Sequence, residues 1–344
     1  MIDERFSPHA IARALGNPAV TAVTVVETFV TGTTEVAQLD VRFSDGQPPR
    51  RMFGRSATGA GIPAARRELE FHTDIAPLWN SRAATLLGAL DDHIGDVPHV
   101  LLLTEDLGAT GHTLVGADIS EAQLDGVLDA LVALHARFWD AIPPAYLDPA
   151  RALPSVTQSA QAWPPSLIAR NAAAVHAAAT ELRATQLAAL TPSERALLDD
   201  SLATWERQLT ARVASGRAIT LIHADFHFYG NVLFAGADPR PRIIDWSELK
   251  PGLGPHDLAY CLVGAPTPDR PTRDLAVLHR YWSRLTATGV ASYSWDLCRW
   301  DHHFSLVTNL LQAVLQQSAM WFSRSAAIID ALACRSVLHE PPPI

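Results

Sequence analysis

The feature that most constrains the fold is a change in residue pattern near residue 107. Before it, short runs rich in Val and Thr alternate with Gly and Asp turn signals, whereas long Ala- and Leu-rich segments with helical spacing follow it. A single hydrophobic core stops growing at about 250–300 residues, so a chain of 344 residues is expected to form two lobes. We predict an α+β chain with a small antiparallel-sheet N-lobe, residues 1–106, and a larger, mainly helical C-lobe, residues 107–344.

The elements of the first lobe follow from local patterns. A short helix begins at Ser7-Pro8, because Ser is a good N-cap and Pro suits the first helical position. A second helix is predicted over residues 64–79, opened by Pro63, with an apolar stripe formed by Leu69, Phe71, Ile75 and Leu78. Strands of an antiparallel sheet are predicted at 21–30, 34–43, around 52–53, and at 85–90 and 97–103.

The second lobe is predicted to be helical with one short β-like island. Helices are expected over 120–139 and from the capping box at Thr191 to about residue 212. The island consists of three short apolar runs with polar residues at their ends, at 220–222, 232–234 and 242–244. Polar side chains at strand ends inside a helical lobe are the place where chemistry is expected.

Composition excludes several classes of function. Of the 27 Lys and Arg residues only Lys250 is a lysine, and no Gly precedes it at the spacing of a Walker-type phosphate loop. The net charge of −9 gives no basic footprint for nucleic acid. No apolar run is long enough to cross a membrane, and the three dispersed cysteines support neither a disulfide framework nor a zinc site. A protein of the reducing cytoplasm, without nucleic-acid or membrane partners, is expected; no pattern indicates an oligomeric state.

Three side chains of the island have the chemistry of a phosphoryl-transfer site. Asp225, Asn231 and Asp245 each lie at an end of a short apolar run. Carboxylate and carboxamide oxygens suit Mg²⁺, and a further carboxylate can accept a hydroxyl proton. Phosphoryl transfer needs little beyond positioning and charge neutralisation.

The ordered set of motifs resembles the aminoglycoside phosphotransferase and choline kinase-like superfamily, in particular its ecdysteroid kinase-like branch. The family pattern is H-G-D-x-x-x-x-N, then I-D-W, then D-L-A, and the matching segments here are His223-Ala224-Asp225, Asn231, Ile244-Asp245-Trp246 and Asp257-Leu258-Ala259. The resemblance implies a bilobal protein-kinase-like fold. It also implies that ATP and Mg²⁺ serve as cofactors and that a small molecule accepts the phosphoryl group on a hydroxyl.

The resemblance also implies residue roles. Asp225 would be the base that orients and deprotonates the acceptor hydroxyl, and Asn231 and Asp245 would hold Mg²⁺. His223 would brace the catalytic loop, and Asp257 would anchor it from the start of a helix that Pro255 opens. The segment containing Thr104 and Glu105 corresponds to the family's hinge beside the nucleotide.

The sequence departs from the family pattern in the spacing of the catalytic loop, at the phosphate-binding lysine and in the phosphate loop, which has one Gly where protein kinases have three. Asn231 follows Asp225 by six residues where the family has five, so Phe228 or Tyr229 is expected to bulge, with Gly230 relieving the strain through positive φ. The family's phosphate-binding lysine on the third strand is replaced by Arg55, with Glu68 as its expected partner and Glu70 as the weaker choice. Arg keeps the charge but is longer and planar.

The remaining nucleotide and acceptor candidates rest on position. Thr31, Gly32 and Thr33 lie between the first two strands, where the family's phosphate loop is found, although a lone Gly there is equally typical of a turn. Aromatic and acidic residues of the closing helices are candidates for an acceptor pocket suited to an amphipathic or cationic alcohol, although helical spacing of aromatics is more typical of a core: Trp295, Trp300, Trp321, Asp296 and Asp301.

Two other functions compete with a small-molecule kinase. A kinase-like protein that has lost catalysis would bind a nucleotide or ligand, as the Arg55 exchange and the lengthened loop allow. A metal-dependent hydrolase would use the H-x-D-x-H cluster of His223, Asp225 and His227, since alternate side chains on a strand share a face. The acceptor could be antibiotic-, amino-alcohol- or sugar-like.

Overall fold

A computed structural model describes residues 4–31, 34–79, 82–116, 118–148, 165–186, 190–264 and 270–344. A five-stranded antiparallel sheet dominates the first part of the chain, with the strand order β1-β2-β3-β5-β4. Its strands are β1 (Val20–Thr31), β2 (Thr34–Phe43), β3 (Arg50–Thr58), β4 (Leu86–Ile94) and β5 (Val97–Glu105). Each of the five predicted strands is therefore present, and the predicted antiparallel sheet is confirmed.

One helix packs on each face of this sheet, because successive side chains of a strand point to opposite faces. Helix α1 (Pro8–Leu15) covers the face that carries Leu39 and Met52, and helix α2 (Ile62–Glu70) covers the face that carries Ala57 and Leu102. Gly88 is required for the first contact, since a Cβ there would lie 2.2 Å from the carbonyl oxygen of Ala14.

Helix α2 is shorter than predicted. The α-helix ends at Glu70 and continues as a π-helical turn, Phe71–Ile75, and a 3₁₀ turn, Ala76–Leu78. Phe71 and Ile75 are fully buried as expected, but Leu78 is half exposed, so its place in the apolar stripe was wrong. A π-turn changes the angular position of every later side chain, which helical spacing in the sequence does not reveal.

The rest of the chain is mainly helical. Ser120, Thr191 and Ser294 cap three of the helices through their side-chain oxygens, which satisfies backbone N–H groups that a helix start leaves free. The helices are α3 (Glu121–Phe138), α4 (Pro165–Gln186), α5 (Pro192–Val213), α6 (Pro255–Gly264), α7 (Arg270–Ala287), α8 (Trp295–Leu315) and α9 (Ala319–Ala331).

The predicted β-island is divided between two small sheets. Strand β7 (Thr220–Ile222) pairs with β10 (Lys250–Gly252), whereas β8 (Val232–Ala235) pairs with β6 (His112–Leu114) and β9 (Arg242–Ile243). The chain forms two compact units: Met1–Leu114 with Asn231–Glu248, and Val115–Gly230 with Leu249–Ile344. The island was expected inside the helical lobe, but residues 231–248 belong to the first unit. The predicted functions of residues 1–106 and 107–344 stay predictions.

A buried ion pair lies in the core of the second unit. The Arg212 guanidinium donates to both carboxylate oxygens of Asp301, at 2.6 and 2.8 Å, and to the carbonyl oxygens of residues 217 and 218. The Tyr293 hydroxyl donates to the same carboxylate at 2.8 Å. Burial raises the pKa of Asp301, which Arg212 opposes. Asp301 is thus committed to the core.

No described helix combines the length and hydropathy needed to span a bilayer. The three cysteines, Cys261, Cys298 and Cys334, are buried thiols in the part of the chain that the structure describes.

A buried histidine makes the stability of the second unit sensitive to acid. His302 on α8 is 1% exposed, neither ring nitrogen has a hydrogen-bond partner among the described residues, and burial lowers its pKa to about 3. The unfolded chain takes up this proton near pH 6.5 and the folded chain does not, so stability is lost as the pH falls below about 6.5.

We expect His302→Leu to remove about 1.4 kcal/mol per pH unit from the slope of unfolding free energy between pH 6 and pH 4. Urea unfolding of both proteins across this range measures the slope, with a substitution of the exposed His9, His9→Leu, as the control for loss of a histidine. Parallel curves for wild type and His302→Leu would show that His302 is protonated in the folded protein.

Candidate active site

In the first unit a single guanidinium joins two carboxylates. Arg55 lies on the face of β3 that packs against α2, and its Nη1 is 3.0 Å from Oε2 of Glu68. Its Nη2 is 2.8 Å from Oδ2 of Asp245. Arg55 and Glu68 are nearly buried, at 15% and 8% exposure, whereas Asp245 is 27% exposed. The Arg55–Glu68 pairing expected from the sequence is present, and Asp245 joins it.

The charges of this cluster do not balance. Burial raises the pKa of Glu68 to about 7, an effect that Arg55 opposes and that the nearby Asp245 carboxylate reinforces. Among these three side chains, one cation therefore faces two carboxylates. Glu70, the weaker candidate partner, lies 3.7 Å from Arg67 instead.

An aromatic stack holds the segment that carries Asp245. The ring of Phe71 stacks on Trp246 with centroids 3.9 Å apart and planes 3° apart, and Trp79 contacts Trp246 edge-on at 5.0 Å. Asp245 itself has φ +61°, a conformation that Asp tolerates better than most residues. Ser247 donates a 2.7 Å hydrogen bond to its Oδ1. Both carboxylate oxygens of Asp245 are therefore oriented by named partners.

Asn231 lies beside Asp245 at one end of the β8–β9 hairpin. The N–H of Ile244 donates to the carbonyl oxygen of Asn231 at 3.0 Å, and Asn231 is 6% exposed. The two predicted metal ligands, a carboxamide and a carboxylate, thus lie at neighbouring strand ends of the first unit. This donor set suits Mg²⁺, which takes one or two protein oxygens and completes its octahedron with water and phosphate oxygens.

In the second unit, Asp257 fixes the backbone that carries Asp225. The N–H groups of His223 and Ala224 donate to the two carboxylate oxygens of Asp257, each at 2.8 Å. His135 approaches the same carboxylate at 3.3 Å, and its other ring nitrogen is 2.8 Å from the hydroxyl of Tyr281. Burial would raise the pKa of Asp257, but His135 keeps it below its usual value.

The loop between Asp225 and Asn231 is held by its own side chains. Asp225 is partly exposed, with Oδ2 3.8 Å from Nε2 of His227, and its N–H donates to Nδ1 of His223 at 3.3 Å. The Tyr229 hydroxyl donates to the carbonyl oxygen of Gly264 at 2.7 Å. Gly230 was expected to supply positive φ and does not; a Cβ there would lie 2.5 Å from the His227 ring, so the glycine provides space.

The remaining nucleotide candidates have mixed outcomes. Thr31 is the last residue of β1 and pairs with Thr34, while Gly32 and Thr33 lie outside the described residues. Thr104 pairs with Phe53 in the sheet. The carboxylate of Glu105 accepts hydrogen bonds from Thr85, at 2.6 and 2.7 Å, and from Arg242, so it ties strands of the first unit together.

Most of the acceptor candidates are used for packing. Asp301 is bound by Arg212, Asp296 is largely exposed, and Trp300 stacks on Phe304 in the core. Trp295 packs against His279 and Trp282. Of these five residues only Trp321 lines a narrow slot, which lies between helices α6, α8 and α9.

Sequence reasoning missed several residues that organise the site. His135 was not among the predicted site residues, and the stacking of Phe71 on Trp246 depends on the π-turn. Ala224 occupies the family's Gly position with φ +68°, which the departure from H-G-D could have indicated. Lys250, the sole lysine, is buried on β10 in the second unit. No group of three or more His, Cys, Asp or Glu residues that could hold a metal occurs among the described residues.

Comparison with known proteins assigns the chain to a family. The sequence profile of the phosphotransferase enzyme family matches residues 38–289, well over half of the chain. The protein therefore belongs to the phosphotransferase enzyme family. A search of curated protein sequences gave no match.

Two solved structures share the fold. An aminoglycoside phosphotransferase from Streptomyces rimosus, in complex with ADP and streptomycin, is 16% identical, with 80% of this chain and 90% of that chain covered and a TM-score of 0.51. An ethanolamine kinase from Plasmodium vivax is 13% identical, with 92% of this chain and 82% of that chain covered and a TM-score of 0.51. The predicted kinase-like fold is confirmed.

We expect Asp257→Asn to destabilise the protein by about 3 kcal/mol, because an amide N–H₂ would face a backbone N–H donor in a fully buried position. Asp274→Asn is the matched control: Asp274 is 1% exposed in the same unit and Arg270 donates to one of its oxygens at 2.8 Å, but the other oxygen has no partner among the described residues and burial raises its pKa. Chemical denaturation should show a loss below about 1 kcal/mol for the control. Equal losses would mean that the two N–H groups do not depend on Asp257.

Proposed function

We propose that the protein transfers the γ-phosphoryl group of ATP to a hydroxyl of a small molecule. Family membership supports the phosphotransferase class. The observation that carries the proposal is the Arg55–Glu68–Asp245 cluster, which provides a cation for phosphate and a carboxylate for metal in one unit. The acceptor is antibiotic-, amino-alcohol- or sugar-like, and nucleic acid is not a partner, in keeping with the net charge of −9. A cytoplasmic location is part of the proposal.

The first unit binds the nucleotide in this proposal. Arg55 contacts phosphate oxygens and is oriented by Glu68. Thr31, Gly32 and Thr33 are assigned to the phosphates only because of their position in the sequence between the first two strands. Thr104 and Glu105 lie beside the nucleotide base. Asn231 and Asp245 would hold Mg²⁺, which supplies neutralisation of the phosphate charge when it is bound.

Asp225 acts on the acceptor. Its carboxylate accepts a hydrogen bond from the acceptor hydroxyl and then its proton, as that oxygen forms a bond to the γ-phosphorus and the bond from the bridging oxygen of ADP to that phosphorus breaks. His223 and Asp257 hold the backbone before Asp225, so the carboxylate has a defined direction. The products are the phosphorylated acceptor and ADP.

A nucleotide-binding protein without catalysis is the second candidate. The specific observation in its favour is that Asp245, a proposed metal ligand, is bound by Arg55 at 2.8 Å, and the six-residue spacing of Asp225 and Asn231 adds to it. This candidate predicts binding of Mg·ATP without turnover of any acceptor.

Asp225→Asn separates the two candidates. We expect the variant to bind Mg·ATP with unchanged affinity and to lose acceptor-dependent ADP release by about 10²–10⁴-fold, because the base is lost while the nucleotide site is kept. ADP release with a panel of antibiotics, amino-alcohols and sugars is the measurement, together with calorimetric titration of Mg·ATP. Asp296→Asn, at an exposed aspartate of α8, is the control. Equal turnover of wild type and Asp225→Asn would contradict the proposal.

Arg55→Ala tests the phosphate contact. We expect ATP affinity to fall by about tenfold or more, since a charged hydrogen bond to phosphate is lost, and Arg55→Lys to recover only part of it. Arg51→Ala is the matched control, because Arg51 lies four residues earlier on β3 and pairs with Asp40 at the surface. Unchanged ATP binding by Arg55→Ala would remove Arg55 from the nucleotide site.

A further inference from the structure

A narrow slot opens in the second unit where three helices meet. Tyr260 of α6, Asn309 and Gln312 of α8, and Trp321 of α9 contribute to its walls. The enclosed space is about 10 Å³, enough for about one water molecule or one small polar group. Asn309 and Gln312 are three residues apart and so share one face of α8.

Buried polar groups in this slot lack partners. Asn309 is 5% exposed, and neither its Oδ1 nor its Nδ2 has a hydrogen-bond partner among the described residues. Oε1 of Gln312 is likewise buried without a partner. Buried carboxamides are normally hydrogen-bonded, since an unmade bond costs the desolvation of the group. Asn309 and Gln312 both lack hydrogen bonds that a buried carboxamide normally makes. Together they indicate a place where a polar group from outside the protein binds.

The slot adjoins the loop that carries Asp225. The His227 ring, 3.8 Å from the Asp225 carboxylate, has its centroid 6.2 Å from that of Tyr260 in the slot wall. At Gly264 a Cβ would lie 2.7 Å from the ring of Tyr229 and 3.8 Å from that of Trp321. Two side chains of the loop, His227 and Tyr229, therefore lie near residues of the slot wall within the second unit.

The slot offers a cation no counter-charge among the described residues. None of its described lining residues is acidic or basic, and the guanidinium of Arg324 lies 5.3 Å from the ring centroid of Trp321, where it uses the aromatic face. Asp301, expected from the sequence to attract a cationic acceptor, is bound by Arg212 in the core. An ammonium group in the slot would be desolvated without a counter-charge.

We propose that this slot is a specificity subsite that binds one uncharged hydrogen-bonding group of the acceptor, a hydroxyl or an amide, through Asn309 and Gln312. The inference rests on the proposed function, because it assigns the bound group to the acceptor of Asp225. The subsite favours acceptors that are neutral at this position, such as sugars and cyclitols, over polycationic ones.

Small probes test the subsite without turnover. Crystals of the full chain soaked in acetamide should hold acetamide between Asn309 and Gln312, and crystals soaked in methylammonium at the same concentration should hold none there. Asn309→Leu should lose the acetamide, and Asn309→Asp should bind methylammonium in its place. Methylammonium in the wild-type slot, or neither probe in it, would overturn the inference.

Acceptor kinetics test the same subsite in the reaction. With Mg·ATP we expect myo-inositol, glycerol or D-ribose to support more ADP release than ethanolamine or streptomycin. Gln312→Leu should raise the KM of the neutral acceptor about tenfold with little change in kcat, whereas a purely structural residue would lower stability and leave the order of acceptors unchanged. Preference for a cationic acceptor would overturn the inference.

The two proposals fail in different ways. If acetamide binds as predicted but no ADP release depends on Asp225, the phosphotransfer proposal fails and the assignment of the slot to an acceptor fails with it. If ADP release depends on Asp225 but acetamide does not bind, the subsite alone is wrong.

Discussion

The organisation of the first unit depends on one guanidinium, that of Arg55, which lies within hydrogen-bonding distance of two carboxylates. Arg55 can do this because its planar fork presents donors in two directions, whereas a lysine ammonium is a compact point charge. The arrangement leaves a net negative charge in a partly buried place, which raises the pKa of Glu68 to about 7 through burial and through Asp245. In the proposed function, a metal ion carried by the nucleotide phosphates would supply a further positive charge beside this cluster.

The second unit relies on a buried carboxylate in a different way. Asp257 accepts two backbone hydrogen bonds from the segment before Asp225 and a third interaction from His135. These bonds hold Ala224 at φ +68°, a conformation that a residue with a Cβ adopts only when its surroundings compensate. The backbone hydrogen bonds on the N-terminal side of Asp225 thus determine its direction, together with the side chains of the following loop.

The sequence predicted the strands of the sheet, the capped helices and the Arg55–Glu68 pair, because alternation, capping chemistry and family order are local signals. It did not predict the division of the β-island, since strand pairing depends on distant partners such as β6 and β10. The predictions for Leu78 and Asp301 were also wrong: a π-turn rotates Leu78 out of the apolar stripe, and a buried arginine 89 positions earlier binds Asp301. The unpartnered carboxamides of α8 could not be recognised from spacing, because helical spacing alone does not distinguish a core face from a slot.

The stacking of Phe71 on Trp246 has a consequence for how the first unit can respond to a ligand. Phe71 directly follows the helix that carries Glu68, and Trp246 directly follows Asp245. Because the two rings are stacked in contact, a displacement of α2 along its axis would be transmitted through them to the proposed metal ligand. Glu68, the partner of the proposed phosphate contact Arg55, and Asp245, the proposed metal ligand, would then move together, so natural variation at Phe71 would alter both proposed roles at once.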